Sequence, residues 1–178
     1  MLHLQRASAG SGKTYTLAKQ FIWFLIAVRI GDNWRLRTDR EISDGLSRIL
    51  AITFTNKATN EMKQRIVEKL ADLSVAAEPG AVTPHLLKTT AYLQEFSTRL
   101  GVAPELIGQA AKEALSVVLN DYSDFRVSTI DSFFQSVLRT FAYESNLNDS
   151  YQVEIDSDFL AMAAIDATLD EVNRPGLP

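Results

Sequence analysis

Apolar residues fall into two periods along this chain, and the switches between them divide it into elements. The opening LHLQR run is short and alternating, which predicts a strand entering a glycine-rich turn. A helix is predicted from near Lys13 to about Val28, closed by Gly31. Residues 29–48 are polar and charged, with Gly31 and Gly45 as breakers, and are expected to form a long surface loop. Ile49 to Phe54, ILAITF, is nearly all apolar and rich in β-branched residues, the pattern of a strand buried on both faces of a parallel sheet. In the next segment Ala58, Met62, Ile66, Leu70 and Leu73 recur at helical spacing, with Glu61 and Arg65 four apart in the favourable order.

Residues 74–84 are a turn-rich connector. A helix is expected from about His85 to Leu100, stopping at Gly101. Another opens with Pro104 in its first turn and carries Ile107, Ala111, Ala114 and Val118 on one face. Phe125 to Ile130, FRVSTI, predicts a third strand. Asp131 or Ser132 can then cap a helix whose face is Phe134, Val137, Leu138 and Phe141. YQVEI is a short extended piece, and a last helix begins near Ser157 with Met162, Ile165, Leu169 and Val172. Strands alternating with helices give an α/β fold, a parallel sheet with right-handed crossovers. Ligands of such sheets sit beyond the carboxyl ends of the strands. Three polar motifs lie at those ends: after Arg6, after Phe54 and after Ile130.

Composition narrows the chemistry. The 178 residues are 46% hydrophobic and 22% charged, as in a globular protein with a real core, and the net charge is −4. Any nucleic-acid site must therefore be a local track, not a basic surface. There is no cysteine, and His3 and His85 are the only histidines, which argues against disulfides and against thiolate or histidine metal clusters. Absence of cysteine is compatible with a cytoplasmic location. The apolar run FIWFLIAV, Phe21 to Val28, is too short to span a bilayer and is followed by RIGDNW, not a cleavage site. It reads as a buried helix end, and no membrane partner is expected.

The first motif, ASAGSGKT at residues 7–14, is a phosphate-binding loop at a strand-to-helix junction. Small residues let backbone N–H groups turn inward around phosphate oxygens, and the helix N-terminus adds partial positive charge. ATP and Mg²⁺ are the expected cofactors, held by Ser8, Ala9, Gly10, Ser11, Gly12, Lys13, Thr14 and Tyr15. Lys13 would reach the β- and γ-phosphates and the Thr14 hydroxyl would ligate the metal; these two carry the catalytic role. The usual pattern begins with glycine, and this chain has Ala7 there.

With that loop, AITFTNKATNEMKQRI (Ala51 to Ile66) and VSTIDSFFQSVLR (Val127 to Arg139) resemble, in order, motifs I, Ia and Ib of the UvrD/Rep group of superfamily 1 DNA helicases. Alanine commonly replaces the first loop glycine in that family. The TFTNKAT run is the most specific part, and the resemblance covers most of residues 1–155. It implies an incomplete RecA-like P-loop domain and an ATP-driven motor on single-stranded DNA, with roles in repair or recombination. Carried over residue by residue, Phe54 would stack on a base, and Thr55, Asn56 and Lys57 would hold the backbone. Thr129, Asp131 and Ser132 would lie beside them. Many relatives have histidine where this chain has Asp131. A carboxylate repels phosphate, so Asp131 could instead cap its helix or accept from a base donor. Stacking plus backbone contacts suits binding without sequence preference. Arg35, Arg37 and Arg40 are interleaved with Asp39 and Glu41 and read as solvated surface.

The stretch between motifs Ia and Ib holds about two extra helices, which places the chain closer to the RecB/AddA helicase–nuclease branch. A second subunit of such a complex is then a candidate partner. A P-loop ATPase also needs an acidic partner at the end of another buried strand. The only Asp-Glu pair is Asp170-Glu171, in a run of helical spacing. The chain therefore reads as an N-terminal fragment: residues 1–155 a partial motor domain with a helical insertion around 74–120, and residues 156–178 the start of an inserted helical subdomain. Alone it is not expected to hydrolyse ATP. A non-catalytic nucleotide- or DNA-binding module stays open, as does a small P-loop phosphotransferase, though an arginine-rich lid and an acidic acceptor site are not evident.

Overall fold

The computed structural model of the chain describes residues 13–77, 84–144 and seven positions between 161 and 169. The opening LHLQR run, most of the phosphate loop and YQVEI lie outside the described residues. The chain divides into two compact units, Met1–Gln135 and Ser136–Pro178.

In the first unit, helix α1 (Lys13–Ile26) buries Ala18, Phe21, Ile22, Trp23, Leu25 and Ile26. Phe21 to Ile26 of the FIWFLIAV run is thus a largely buried helix end, with Phe24 exposed and Ala27 and Val28 passing into a strand, and among the described residues no helix is long and apolar enough to cross a membrane. The helix ends earlier than its apolar pattern suggests. The chain goes straight into strand β1 (Ala27–Ile30), turns at Gly31 with φ of 61°, and returns as antiparallel strand β2 (Asn33–Leu36). Gly31 is the hairpin residue that can hold positive φ without strain. Helix α2 (Asp39–Leu46) follows.

Residues 29–48 are therefore an ordered hairpin and helix, not a long loop. Three interactions explain the order. Thr38 and Glu41 form a reciprocal capping box at the start of α2. Arg35 holds Glu41 through two nitrogens, at 2.8 and 2.6 Å. Arg37 turns inward and donates to the carbonyls of Phe24, Ala27 and Glu41, each at 3.2 Å, tying the end of α1 to the hairpin and to α2. Arg37 is thus a staple between elements and not solvated surface, and burial pulls its pKa below the ordinary value. Gly45, expected as a breaker, sits buried inside α2 because the Arg37 guanidinium lies where a β-carbon would project.

Strand β3 (Ala51–Thr53) and strand β4 (Val127–Thr129) pair in parallel, with Ala51 opposite Val127 and Thr53 opposite Thr129. Between them run α3 (Asn56–Ser74), a 3-10 turn (Val75–Ala77), α4 (Pro84–Leu100) and α5 (Pro104–Asn120). On α3, Met62, Ile66, Leu70 and Leu73 are buried as their spacing predicts, with Thr59 in place of Ala58. Gly108, Ala111 and Ala114 are buried on α5, and α3 with α5 forms the most extensive helix pair among the described residues. Gly101, at φ of 65°, ends α4, and Pro104 opens α5.

Strand β3 is not buried on both faces. Ile52 is 42% exposed and, with Leu17, Phe24 and Leu50, lines a groove of about 190 Å³ beside α1. Among the described residues β3 has one hydrogen-bonded neighbour, β4.

Helix α6 (Ile130–Glu144) forms where expected, beginning in the first unit and continuing into the second. Of its expected apolar stripe, Phe134, Leu138 and Phe141 are exposed and Val137 is half-buried. In the second unit the described positions between 161 and 169 are helical, and Met162, Ile165 and Leu169 are exposed.

Candidate nucleic-acid interface

The parallel pairing of β3 and β4 sets two motifs side by side. Thr53 lies opposite Thr129, so Phe54–Lys57 and Ile130–Ser132 leave the same end of the sheet on adjacent strands. This is the carboxyl end, where α/β sheets receive ligands.

Each exit is a capped helix start. Thr55 has extended backbone and its hydroxyl accepts from the Ala58 N–H at 3.1 Å, making it the N-cap of α3. Thr129 does the same for α6: its hydroxyl accepts from the Ser132 N–H at 3.2 Å and lies 2.9 Å from the Ser132 hydroxyl. The capping expected of Asp131 or Ser132 falls instead to Thr129. The helix begins at Ile130, which places Thr129 at the cap and Ser132 in the first turn. Thr129 is buried, while Asp131 and Ser132 are exposed. The Asp131 carboxylate in the first turn suits the positive end of the helix dipole.

Phe54 stands directly after the strand and is 86% exposed. A phenylalanine gains about 1.5–3 kcal/mol by burial, and that gain is forgone here. Asn56 and Lys57 are exposed in the first turn of α3.

Next to Phe54 lies a hydroxyl cluster that hydrophobic periodicity does not reveal. The Thr53 and Thr59 hydroxyls are 2.7 Å apart, and each lies 3.2 Å from the Thr55 carbonyl oxygen. The Thr59 N–H donates to the same oxygen at 3.0 Å. Its one trace in the sequence is the recurrence of threonine at Thr53, Thr55 and Thr59 in TFTNKAT.

Of the expected nucleotide residues, Ser8, Ala9, Gly10, Ser11 and Gly12 lie outside the described residues. Lys13 opens α1, and Thr14 and Tyr15 follow, half-buried, in its first turn. That turn holds no acidic residue.

Helix α4 runs beside α1 in the same direction and meets it at three places. The Tyr92 hydroxyl donates to the Tyr15 carbonyl at 2.8 Å, with the rings edge to face at 4.8 Å. The Lys19 ammonium meets Glu95 at 2.6 Å. The Arg99 guanidinium lies 3.9 Å from the centre of the Trp23 ring. Burial pushes the Tyr92 hydroxyl pKa well up, keeping it a neutral donor.

The chain belongs to the UvrD/REP helicase N-terminal domain family, whose model matches residues 3–174. It is 27% identical over 177 residues to the A subunit of the ATP-dependent helicase/nuclease of Bacillus licheniformis, covering 98% of this chain and 11% of that protein. It is 29% identical over 164 residues to the RecBCD enzyme subunit RecB of Haemophilus influenzae, covering 92% and 13%. Identity is higher but shorter with the ATP-dependent DNA helicase UvrD1 of Mycobacterium leprae: 47% over 66 residues, or 37% of this chain and 7% of that one. The chain thus spans roughly a tenth of the length of these relatives. No solved structure matches it at a significant level.

Proposed function

We propose that this chain is the N-terminal nucleotide-binding and single-strand-contacting part of an ATP-dependent DNA helicase or translocase acting in repair or recombination. Family membership supports the motor assignment. The observation that carries the DNA contact is Phe54, 86% exposed at the carboxyl end of β3 beside the end of β4. An aromatic held in water at that edge is a stacking platform for a base. Thr55, Asn56 and Lys57 hold the adjoining backbone, with Asp131 and Ser132 beside them and Thr129 supporting that turn.

Ser8 to Tyr15 hold Mg²⁺–ATP, with Lys13 on the phosphates and Thr14 on the metal. Bound nucleotide supplies the phosphoanhydride whose cleavage drives a motor of this kind. The chain alone does not turn over ATP in this reading. Its only Asp-Glu pair, Asp170-Glu171, follows helical positions at 168 and 169, which is not how a strand end delivers an acidic partner. Two relatives that match nearly the whole chain carry the word subunit in their names, which supports a multi-subunit assembly for the full protein.

Fluorescence anisotropy with a labelled oligo-dT tests the reading. Phe54→Ala is expected to weaken binding by ~1–3 kcal/mol. Undiminished affinity, with an unchanged unfolding curve, would remove Phe54 from the interface.

A further inference from the structure

We infer that Thr59, acting with Thr53, is a positioning residue that holds Phe54 out for the strand; this rests on the single-strand reading above. Thr59 is buried in the first turns of α3 and is not itself placed to touch the strand. Its hydroxyl, the Thr53 hydroxyl and the Thr55 carbonyl form a closed triangle, with sides of 2.7, 3.2 and 3.2 Å. Two hydroxyl protons serve three contacts, so at most two of the three are hydrogen bonds at any moment, and each arrangement ties a hydroxyl to the Thr55 carbonyl. The triangle fixes the chain on both sides of Phe54: the side chain of the residue before it and the carbonyl of the residue after it. Phe54 is left facing solvent, and the turn cannot relax to bury it without breaking these bonds.

Plain α3 formation does not need the triangle. Thr55 already caps the helix and the Thr59 N–H already bonds the Thr55 carbonyl. The two hydroxyls add a constraint on the turn, at the one place where an exposed aromatic must keep its direction.

The test is a binding cycle on the 178-residue chain with labelled oligo-dT. Thr59→Val keeps the shape and removes the hydroxyl. It is expected to weaken binding about fivefold, the equivalent of one net hydrogen bond. Thr59→Ser, which restores a hydroxyl, should bind like the parent. In the Phe54→Ala background the Thr59→Val effect should fall below about twofold, because Thr59 acts through Phe54. Thr53→Val gives the same reading from the other hydroxyl should Thr59→Val not fold. Parent-like affinity in Thr59→Val, failure of serine to rescue, or an equal loss without Phe54 would each overturn the proposal. If Phe54→Ala itself binds normally, the interface reading falls with it; if Phe54→Ala binds weakly and Thr59→Val normally, only the positioning role falls.

Discussion

Replacing Arg37 with methionine tests whether the hairpin and α2 are fastened to α1 as the structure indicates. Methionine keeps an apolar stem of similar reach and removes every donor. Three carbonyls then lose a partner: Phe24, Ala27 and Glu41. A net hydrogen bond contributes about 0.5–1.5 kcal/mol, and about 1.5–3 kcal/mol when one partner is charged. Desolvation of the guanidinium offsets much of the gain, so the loss is about 2 kcal/mol. For a domain of this size that lowers Tm by roughly 4–8 °C. Tryptophan fluorescence in a thermal or urea unfolding curve reads the region directly, since Trp23 and Trp34 lie 5.1 Å apart across α1 and β2. Gly45→Ala supplies the internal check. Its new β-carbon would sit 3.1 Å from the Arg37 guanidinium, which must give way. With methionine at 37 that obstacle is gone and alanine recovers up to about 1 kcal/mol of helix propensity. A parent-like midpoint for Arg37→Met, or strict additivity of the two changes, would refute the staple.

Lys13→Ala should weaken Mg²⁺–ATP binding in equilibrium dialysis, and unchanged affinity would count against the loop assignment. The parent chain with oligo-dT should show no steady-state ATP hydrolysis; turnover abolished by Lys13→Ala would contradict the missing acidic partner. Glu41 is held at a pKa of about 2, first by the Arg35 hydrogen bond and then by the Thr38 N–H. A depressed carboxylate pKa stabilises the fold above its ordinary value near 4.5 and loses that contribution as pH falls toward 2. The stability difference between the parent and Glu41→Gln should therefore be constant near neutrality and shrink between pH 4.5 and 2; a difference that persists to pH 2 would exclude this linkage.

The helices α3, α4 and α5 were legible because their apolar residues repeat at one spacing and Gly101 and Pro104 mark where one ends and the next begins. The hairpin and α2 were not. Charge density and two glycines outweighed subtler signals: Trp34 and Leu36 alternating with Arg35 and Arg37, and Thr38 three residues before Glu41. Gly45 misleads because its reason lies eight residues away, in a guanidinium that needs the space. Periodicity also reports which face is apolar and not whether anything covers it, so Ile52, expected to be buried, stands exposed. At the candidate interface, the position of each motif directly after an expected parallel strand predicted the shared sheet end of the second and third. The hydroxyl triangle left only its recurring threonines in the sequence, because the contacts depend on how strand β3 meets helix α3.

The seam between α1 and α4 has a mechanical consequence. Its three rungs differ in kind: ring on ring at Tyr15, ion pair at Lys19, cation on ring at Trp23. Sliding α4 by one turn would set Lys19 against Arg99, like charge on like, or Trp23 against the Glu95 carboxylate. Only one alignment satisfies all three, so the two helices cannot creep past each other. The rungs therefore set the register of α4 along α1, from Tyr15 in its first turn to Trp23 near its end.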